Sequence, residues 1–414
     1  MAPDDLTLLT TGAAEIVPDG GLADKLSLGR PLRVKLGLDP TAPAITLGWA
    51  VVLRKLRAFQ DQGHTAVLIV GDFTARVGDP SGKSETRPRL SKEEVDGYAE
   101  RLLAQFGAVL DMGRVELRRN SEWLEPLGLE DILRLSAFTT VARMLERDDF
   151  AARFAAGRSI SLMEFLYPLL QGYDSVAVQA DVELGGSDQL FNLLVGRDLQ
   201  RAHAQEPQVA LTMPLLEGLD GVQKMSQSLG NYVGVTDDAD EMFGKLMSVP
   251  DGLIAKYELL CTALGPEDHF RVAAGLLDGS IHPNAEKRRM ARSVVDLYHG
   301  EAAGEQAEAS FDQVHRDREL PDEIADMDVP VSVFSETEPG VFVVHVPALL
   351  EALGLVESRS EGRRLIVQGG VRMDGDQQHQ EDVRLASPPP PGELRGSVWQ
   401  VGRRRFARLT GVLH

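Results

Sequence analysis

The strongest constraint on this chain is a pair of short apolar runs separated by one amphipathic stretch. PLRVKLGLD (31–39) and AVLIVGD (66–72) read as strands. The second is apolar until its Gly-Asp end, the pattern of a parallel strand covered on both faces. Between them, TLGWAVVLRKLRAFQDQG (46–63) sets Leu47, Val51, Leu53, Leu56 and Phe59 against Arg54, Lys55 and Arg57. That spacing predicts a helix with one apolar face and the three cations on the other. SKEEVDGYAERLLAQFG (91–107) opens with Ser91 and carries Glu94 three residues on, which predicts a capping box. Strand, helix, strand, helix is the order of a parallel α/β sheet, whose ligands bind beyond the carboxyl ends of the strands. The loops after Asp39 and Asp72 are therefore where chemistry is expected.

The 414 residues suit two or three domains. We expect a Rossmann-like domain over 1–234 with a helical insertion near 115–170. An α-helical domain over 235–320 and an acidic, Pro-bearing linker over 321–340 follow. The last part, 341–414, returns to a mixed pattern broken by Pro388–Pro391. With 43% hydrophobic and 26% charged residues, the chain is neither wholly disordered nor fibrous. No apolar run reaches the length of a membrane span, and MAPDDLTLLTTG lacks the basic start and apolar core of a signal peptide. The single cysteine, Cys261, makes no internal disulfide or Cys-based zinc site. A cytoplasmic protein without a membrane partner is expected. The net charge of −20 argues against non-specific coating of DNA. Residues 340–414 are the exception, with ten arginines, no lysine and eight acids.

Several segments invite a chemical reading. GDPSGKS (78–84) has three residues between Gly78 and Gly82, one too few for a Walker loop, so it reads equally as an anion site or a surface turn. DPTAPAITLGW (39–49) sets a Pro-rich turn before a helix N-terminus, where free N–H groups and the dipole favour phosphate; by itself it reads first as a plain strand-to-helix connection. YPLLQGYD (167–174) places Tyr167, Gln171 and Asp174 on one helical face, which reads equally as a site for an ammonium or a phenol and as an ordinary exposed face. GGSDQ (185–189) opens a helix, with Ser187 or Asp188 as its expected cap. KMSQSLGNYV (224–233) reads as a polar loop with one lysine.

Taken in order, LGLDPTAP, GDPSGKSETRP, ARMLERDDF, FLYPLLQGYDS, DVELGGSDQ and LTMPLLEGLDGVQKMSQSLGNY make the chain resemble the bacterial tyrosyl-tRNA synthetases, class I aminoacyl-tRNA synthetases. SRSEGRRLIVQGGV resembles an S4-type RNA-binding module, which would account for the arginine-rich tail. The resemblance implies a Rossmann-like catalytic domain, an anticodon-side helical domain, a C-terminal α+β S4-like module and a homodimer formed through the insertion. It implies activation of L-tyrosine by ATP with Mg2+ as cosubstrate, transfer to tRNA(Tyr), and no metal held by the protein.

Carried over by position, the resemblance puts Asp39 and Thr41 in the nucleotide loop and Gly48 beneath the adenine. Asp79, Tyr167 and Gln171 face the tyrosine ammonium, Asp174 accepts from the phenol, and Lys35 lies near that phenol. Asp188 bonds the ribose and Gln189 lies by the reacting carboxylate. Lys83 and Arg87 approach pyrophosphate, and Lys224, Met225, Ser226 and Gln227 form the second nucleotide signature. In the tail, Arg359, Arg363 and Arg364 would meet RNA. A site that bonds a hydroxyl rejects the analogue lacking it, and tyrosine against phenylalanine in this family is the familiar instance of that rule.

The chain departs from the pattern twice. The family's His-x-Gly-His is Thr46-Leu47-Gly48-Trp49 here, and its Lys-Met-Ser-Lys-Ser is Lys224-Met225-Ser226-Gln227-Ser228. These groups chiefly stabilise the phosphates of ATP, so activation is expected to be slowed while the tyrosine-reading residues stay intact. The alternative is a weakened paralogue that binds tyrosine or RNA as a regulator, or that activates a tyrosine-like amino acid for another acceptor.

Overall fold

The computed structural model describes residues 3–81, 90–263, 265–315, 324–338, 341–385, 394–402 and 405–413. The chain divides into a unit over Met1–Glu308 and a second over Ala309–His414. Among the described residues no helix is long and apolar enough to cross a membrane.

The first unit is built on one six-stranded sheet. Its strands are β1 (Glu15–Val17), β2 (Arg33–Leu38), β3 (Thr65–Val70), β4 (Val115–Arg119), β5 (Val182–Gly186) and β6 (Val209–Met213), in the order β1-β6-β5-β2-β3-β4. All neighbours are parallel except the β1–β6 pair, a short antiparallel edge that the sequence pattern did not reveal. Strand β3 is buried along five of its six residues, as its continuous apolar run predicts. Strand β2 stops at Leu38 because Asp39 turns the chain and Pro40 has no N–H to continue the ladder. The chain runs outward through β2, β3 and β4, then returns to place β5 on the other side of β2. That reversal is the topological switch point, where parallel sheets open a crevice.

The helix Leu47–Asp61 buries Leu47, Val51, Leu53, Leu56 and Phe59, the predicted apolar face. Of the three cations on the other face, Lys55 is buried as well. Its Nζ donates to the carbonyls of Leu8 (3.2 Å) and Thr11 (2.8 Å), at the end of the helix Pro3–Thr10. The helix Lys92–Phe106 starts with the predicted box between Ser91 and Glu94. The expected insertion begins later than residue 115, because Val115–Arg119 is strand β4 at the sheet edge. Short helices then run from Ser121 to Ala155, before the long helix Leu162–Val178. Beyond β6, the described residues of the stretch expected to be helical form five α-helices between Ala239 and His315.

The second unit holds a five-stranded and a three-stranded sheet around a core that includes Trp399, Leu349, Leu350 and Ile366. The expected linker is partly ordered structure. Asp326–Pro330 pairs in parallel with Arg405–Leu413, and Val329 is buried in the core. The acidic residues of that stretch alternate with inward apolar ones, which a composition-based reading takes for a linker. The helix Arg359–Val367 is capped by Ser358, whose Oγ accepts from the Glu361 N–H.

Candidate active site at the switch point

Gly37 marks the site. It lies in β2, the strand between β5 and β3, yet it is exposed, and no atom lies within 4 Å of where its Cβ would be. A central strand of a covered sheet normally carries a packed side chain there. The glycine leaves a gap in that layer beside Asp39.

One group of residues comes from the loops after β2 and β3 and from the helix Leu162–Val178. Asp39 Oδ1 accepts from Thr74 Oγ1 (2.7 Å) and Oδ2 from the Tyr167 hydroxyl (2.9 Å). Asp79 Oδ1 accepts from the N–H (2.9 Å) and hydroxyl (2.7 Å) of Ser81, and Oδ2 from Gln189 Nε2 (2.9 Å). Asp174 Oδ1 accepts from Trp123 Nε1 (2.8 Å), and Oδ2 from Asn120 Nδ2 at 3.4 Å. Desolvation pushes Asp39 up to about 7, and the charges of Asp79 and Asp174 add to the rise. Asp174 is likewise pushed up to about 7, mainly by burial, with Lys35 pulling the other way. Burial and the same carboxylates hold the Tyr167 phenol well above its ordinary value. Carboxylates that crowd and desolvate each other favour a cationic group among them, such as an amino-acid ammonium.

Asn192 ties this group together. Its Nδ2 donates to the side-chain oxygens of Gln171 (3.1 Å) and Gln189 (3.0 Å), and its Oδ1 accepts from Arg147 (3.1 Å). Arg147 also donates to Ser81 Oγ (2.8 Å) and pairs with Asp149. Sequence reasoning missed Ser81, Asn120, Trp123, Arg147 and Asn192 as site residues. Ser81, two residues beyond Asp79, carried a turn signal, and Arg147 lies in ARMLERDDF. Nothing local marks Trp123, which reaches Asp174 across 51 residues.

Gly71, at the end of β3, is a glycine by necessity. A Cβ there would lie 2.1 Å from Asp39 Oδ1 and 2.4 Å from Thr74 Oγ1. Gly71→Ala is expected to break the Asp39–Thr74 hydrogen bond and to destabilise the protein by about 1–3 kcal/mol, read as a lowered melting temperature. An unchanged melting temperature would rule out this close approach.

A second group of residues is gathered by the N-terminus of the helix Leu47–Asp61, which follows the Asp39 loop, and by the loop after β6. Thr46 is its N-cap, and its Oγ1 accepts from the Trp49 N–H at 3.4 Å. Thr41 stays in the preceding turn, its N–H donating to the Asp39 carbonyl (2.9 Å). The Gly48 N–H points at Met225 Sδ (3.3 Å), so the 224–228 segment lies against the helix start. That segment is held by Asn231, whose Oδ1 accepts from the Ser226 N–H and whose Nδ2 donates to Asp220. Ser226 and Ser228 share a hydrogen bond of 2.9 Å. Gln227 Nε2 donates to the Ala44 carbonyl at 2.5 Å. Lys224 pairs with Asp188 at 2.8 Å.

Two expectations need correcting here. Ser187 and Asp188 do not cap a helix. A 3-10 turn spans Ser187–Gln189, Gln189 stands at the N-cap of Leu190–Ala202 without a side-chain cap, and Asp188 Oδ2 accepts from Lys224 Nζ. Lys35 does not reach into the gap either. It is wholly buried, and Nζ donates to the Gln171 carbonyl (2.9 Å), Ser175 Oγ (2.8 Å) and Glu183 Oε1 (2.8 Å). Three acceptors saturate an ammonium, so no donor is left for a substrate. Lys83 and Arg87 lie outside the described residues. In the second unit, Arg359 pairs with Glu351, Arg363 with Glu381, and Arg364 is exposed.

Similarity to known proteins agrees with this geometry. The family tRNA synthetases class I (W and Y) matches residues 27–316. The chain is 51% identical to a tyrosine–tRNA ligase of Moorella thermoacetica over 409 residues, covering 98% of this chain and 95% of that one. It is 46% identical to the tyrosine–tRNA ligase of Thermotoga maritima, covering 99% and 98%. The tyrosyl-tRNA synthetase of Archaeoglobus fulgidus, solved with L-tyrosine, shares the fold at a TM-score of 0.61 and 24% identity, over 73% of this chain and 98% of that one. A family match across most of the chain, with half of the residues identical over nearly the full length of such a ligase, reflects common descent: this chain belongs to the class I tRNA synthetases (W and Y), among the tyrosyl enzymes.

Proposed function

We propose that this chain joins L-tyrosine to ATP, forming tyrosyl-adenylate and pyrophosphate, and passes the tyrosyl group to tRNA(Tyr). The observation that carries this reading is the open position at Gly37 together with the two groups of residues that the strand-end loops bring near it. One is a cluster of carboxylates suited to an ammonium and a phenol. The other is a helix N-terminus suited to phosphate.

On this reading the tyrosine ammonium lies among Asp79, Tyr167 and Gln171, its phenol donates to Asp174, and Gln189 lies by its carboxylate. Asp188 bonds the ribose, with Asp39 and Thr41 in the nucleotide loop and Gly48 under the adenine. Thr46, Trp49, Lys224, Met225, Ser226 and Gln227 line the phosphate side, and Lys83 and Arg87 meet pyrophosphate. Mg2+ arrives with ATP. A tyrosine carboxylate oxygen attacks the α-phosphorus and pyrophosphate leaves, taking the bond's electron pair. The terminal ribose hydroxyl of the tRNA then displaces AMP from the tyrosyl carbonyl. Neither step needs a covalent enzyme intermediate, so the protein's work is positioning and charge stabilisation. The test is exchange of labelled pyrophosphate into ATP, expected with tyrosine and many orders slower with phenylalanine. No exchange with tyrosine would sink the reading.

The 121–162 segment supports a homodimer. Leu129, Leu133, Val141, Phe154 and Leu162 are all more than half exposed, which leaves large apolar side chains to be covered by a second copy. Light scattering is expected to give twice the 45.1 kDa chain mass, and a monomer mass would refute the assignment. The S4-like module is read as the tRNA contact and the cytoplasm as its setting. Arg363→Ala with Arg364→Ala is expected to weaken tRNA binding and reduce its salt slope by roughly one to two. Unaltered binding would remove these residues from the interface.

A further inference from the structure

Asp174, read above as the acceptor for the phenol, already holds one donor at close range: Trp123 Nε1 lies 2.8 Å from its Oδ1. A partly exposed run of charges that no step above uses holds that indole. Trp123 packs against the apolar cluster of Val67, Ile69, Val178 and Ala180. Arg118, on the edge strand β4, brings its guanidinium within 5.3 Å of the ring centre. Its Nε (2.9 Å) and one terminal nitrogen (2.6 Å) donate to Glu122 Oε2, and the other terminal nitrogen reaches Glu116 Oε1 at 3.4 Å. Glu116 is gripped in turn by Arg33 through two hydrogen bonds, of 2.8 and 2.9 Å. Arg33 Nε donates to the carbonyl of Val178 (2.7 Å), the last residue of the helix that carries Asp174. The contacts therefore run unbroken from the end of that helix, across β3, to the indole that donates to Asp174.

Single ion pairs at this exposure add little to stability. What this run adds is a fixed place for one guanidinium. A cation at the face of an indole is attracted by the negative charge of the ring face, and it draws electron density from the N–H, making it a better donor. Glu122 immediately precedes Trp123, so its bonds to Arg118 also pin the turn from which the indole projects. We propose that Arg118, held by Glu116 and Glu122, is a positioning residue for tyrosine recognition: it fixes the Trp123 indole so that Nε1 occupies Asp174 Oδ1 and leaves Oδ2 to the phenol. At Oδ2 the only protein donor among the described residues is Asn120 Nδ2, at 3.4 Å. The inference rests on the tyrosine reading above. Arg118 never touches the substrate in this account and acts through Trp123.

The test is the tyrosine dissociation constant, measured by equilibrium dialysis on four full-length proteins: unsubstituted, Arg118→Met, Trp123→Phe and the double variant. Phenylalanine at 123 keeps an aromatic face for Arg118 but has no N–H. Trp123→Phe is expected to weaken binding by about tenfold or more, the loss of a hydrogen bond to a charged acceptor. Arg118→Met is expected to weaken it by about two- to fivefold, the strength of a cation on a partly exposed indole. In the Trp123→Phe background the same Arg118 substitution should change nothing, because the N–H it acts through is gone. A general loosening of β4 would weaken binding equally in both backgrounds. If Arg118→Met fails to fold, Glu122→Gln takes its place in the cycle, with the same pattern expected. An equal loss in both backgrounds, or no loss in either, with tyrosine still bound, would overturn this proposal alone. Failure of the unsubstituted protein to bind tyrosine would overturn the tyrosine reading and this proposal with it.

Discussion

Replacing Asp174 by asparagine is expected to lower kcat/KM for tyrosine in the pyrophosphate-exchange reaction by about a hundredfold or more. Phenylalanine, which has no hydroxyl to place, should be little affected. Asp174 accepts from Trp123 Nε1 and Asn120 Nδ2, and is the candidate acceptor for the phenol. Three donors converging on one residue suit a carboxylate, which only accepts. Asparagine offers one oxygen and an NH2 group, so one donor is left facing another. Losing a hydrogen bond to a charged acceptor costs roughly 1.5–3 kcal/mol, and the donor conflict adds to it. The measurement is kcat/KM for both amino acids in the two proteins. Selectivity for tyrosine that survives the substitution would show that the phenol is read elsewhere.

The second large effect concerns the altered signatures. The triple variant Thr46→His, Trp49→His, Gln227→Lys is expected to raise the rate of tyrosine-dependent pyrophosphate exchange by on the order of a hundredfold. In the chain as it stands, the groups at these positions serve its own structure. Thr46 Oγ1 takes the Trp49 N–H, Gln227 holds the Ala44 carbonyl, and Lys224 rests on Asp188. None of these bonds supplies charge to a pentavalent phosphorus. A lysine at 227 brings a cation and releases Ala44, and imidazoles at 46 and 49 add donors at the helix start. The gain should fall short of three independent contributions, since groups acting on one transition state are not additive. The loss of the threonine cap costs about 1 kcal/mol of stability, so melting temperatures should accompany the rates. Equal exchange by the two proteins would mean that other residues already stabilise the phosphates.

Local order was written in the chain. The strand–helix–strand run from Arg33 to Val70, the buried stripe of Leu47–Asp61 and the Ser91 cap follow from residue spacing alone, because they depend on neighbours within one or two turns. So does the shared face of Tyr167, Gln171 and Asp174 on one helix. The resemblance of ordered motifs supplied the chemistry those faces serve.

Partnerships were decided only by the tertiary structure. Lys35 meets Glu183 across 148 residues, Lys224 meets Asp188 across 36, and Trp123 meets Asp174 across 51. A lysine in a strand looks the same whether it ends in water, in a substrate pocket or in a buried pair. The crossovers of the sheet choose among these by setting which strands are neighbours, and that choice depends on chain distances no local pattern encodes. Burial then gives the choice its chemical weight. The same carboxylates that would be ordinary acids at the surface are pushed toward neutrality at Asp39 and Asp174, because folding removes their water and sets them beside one another.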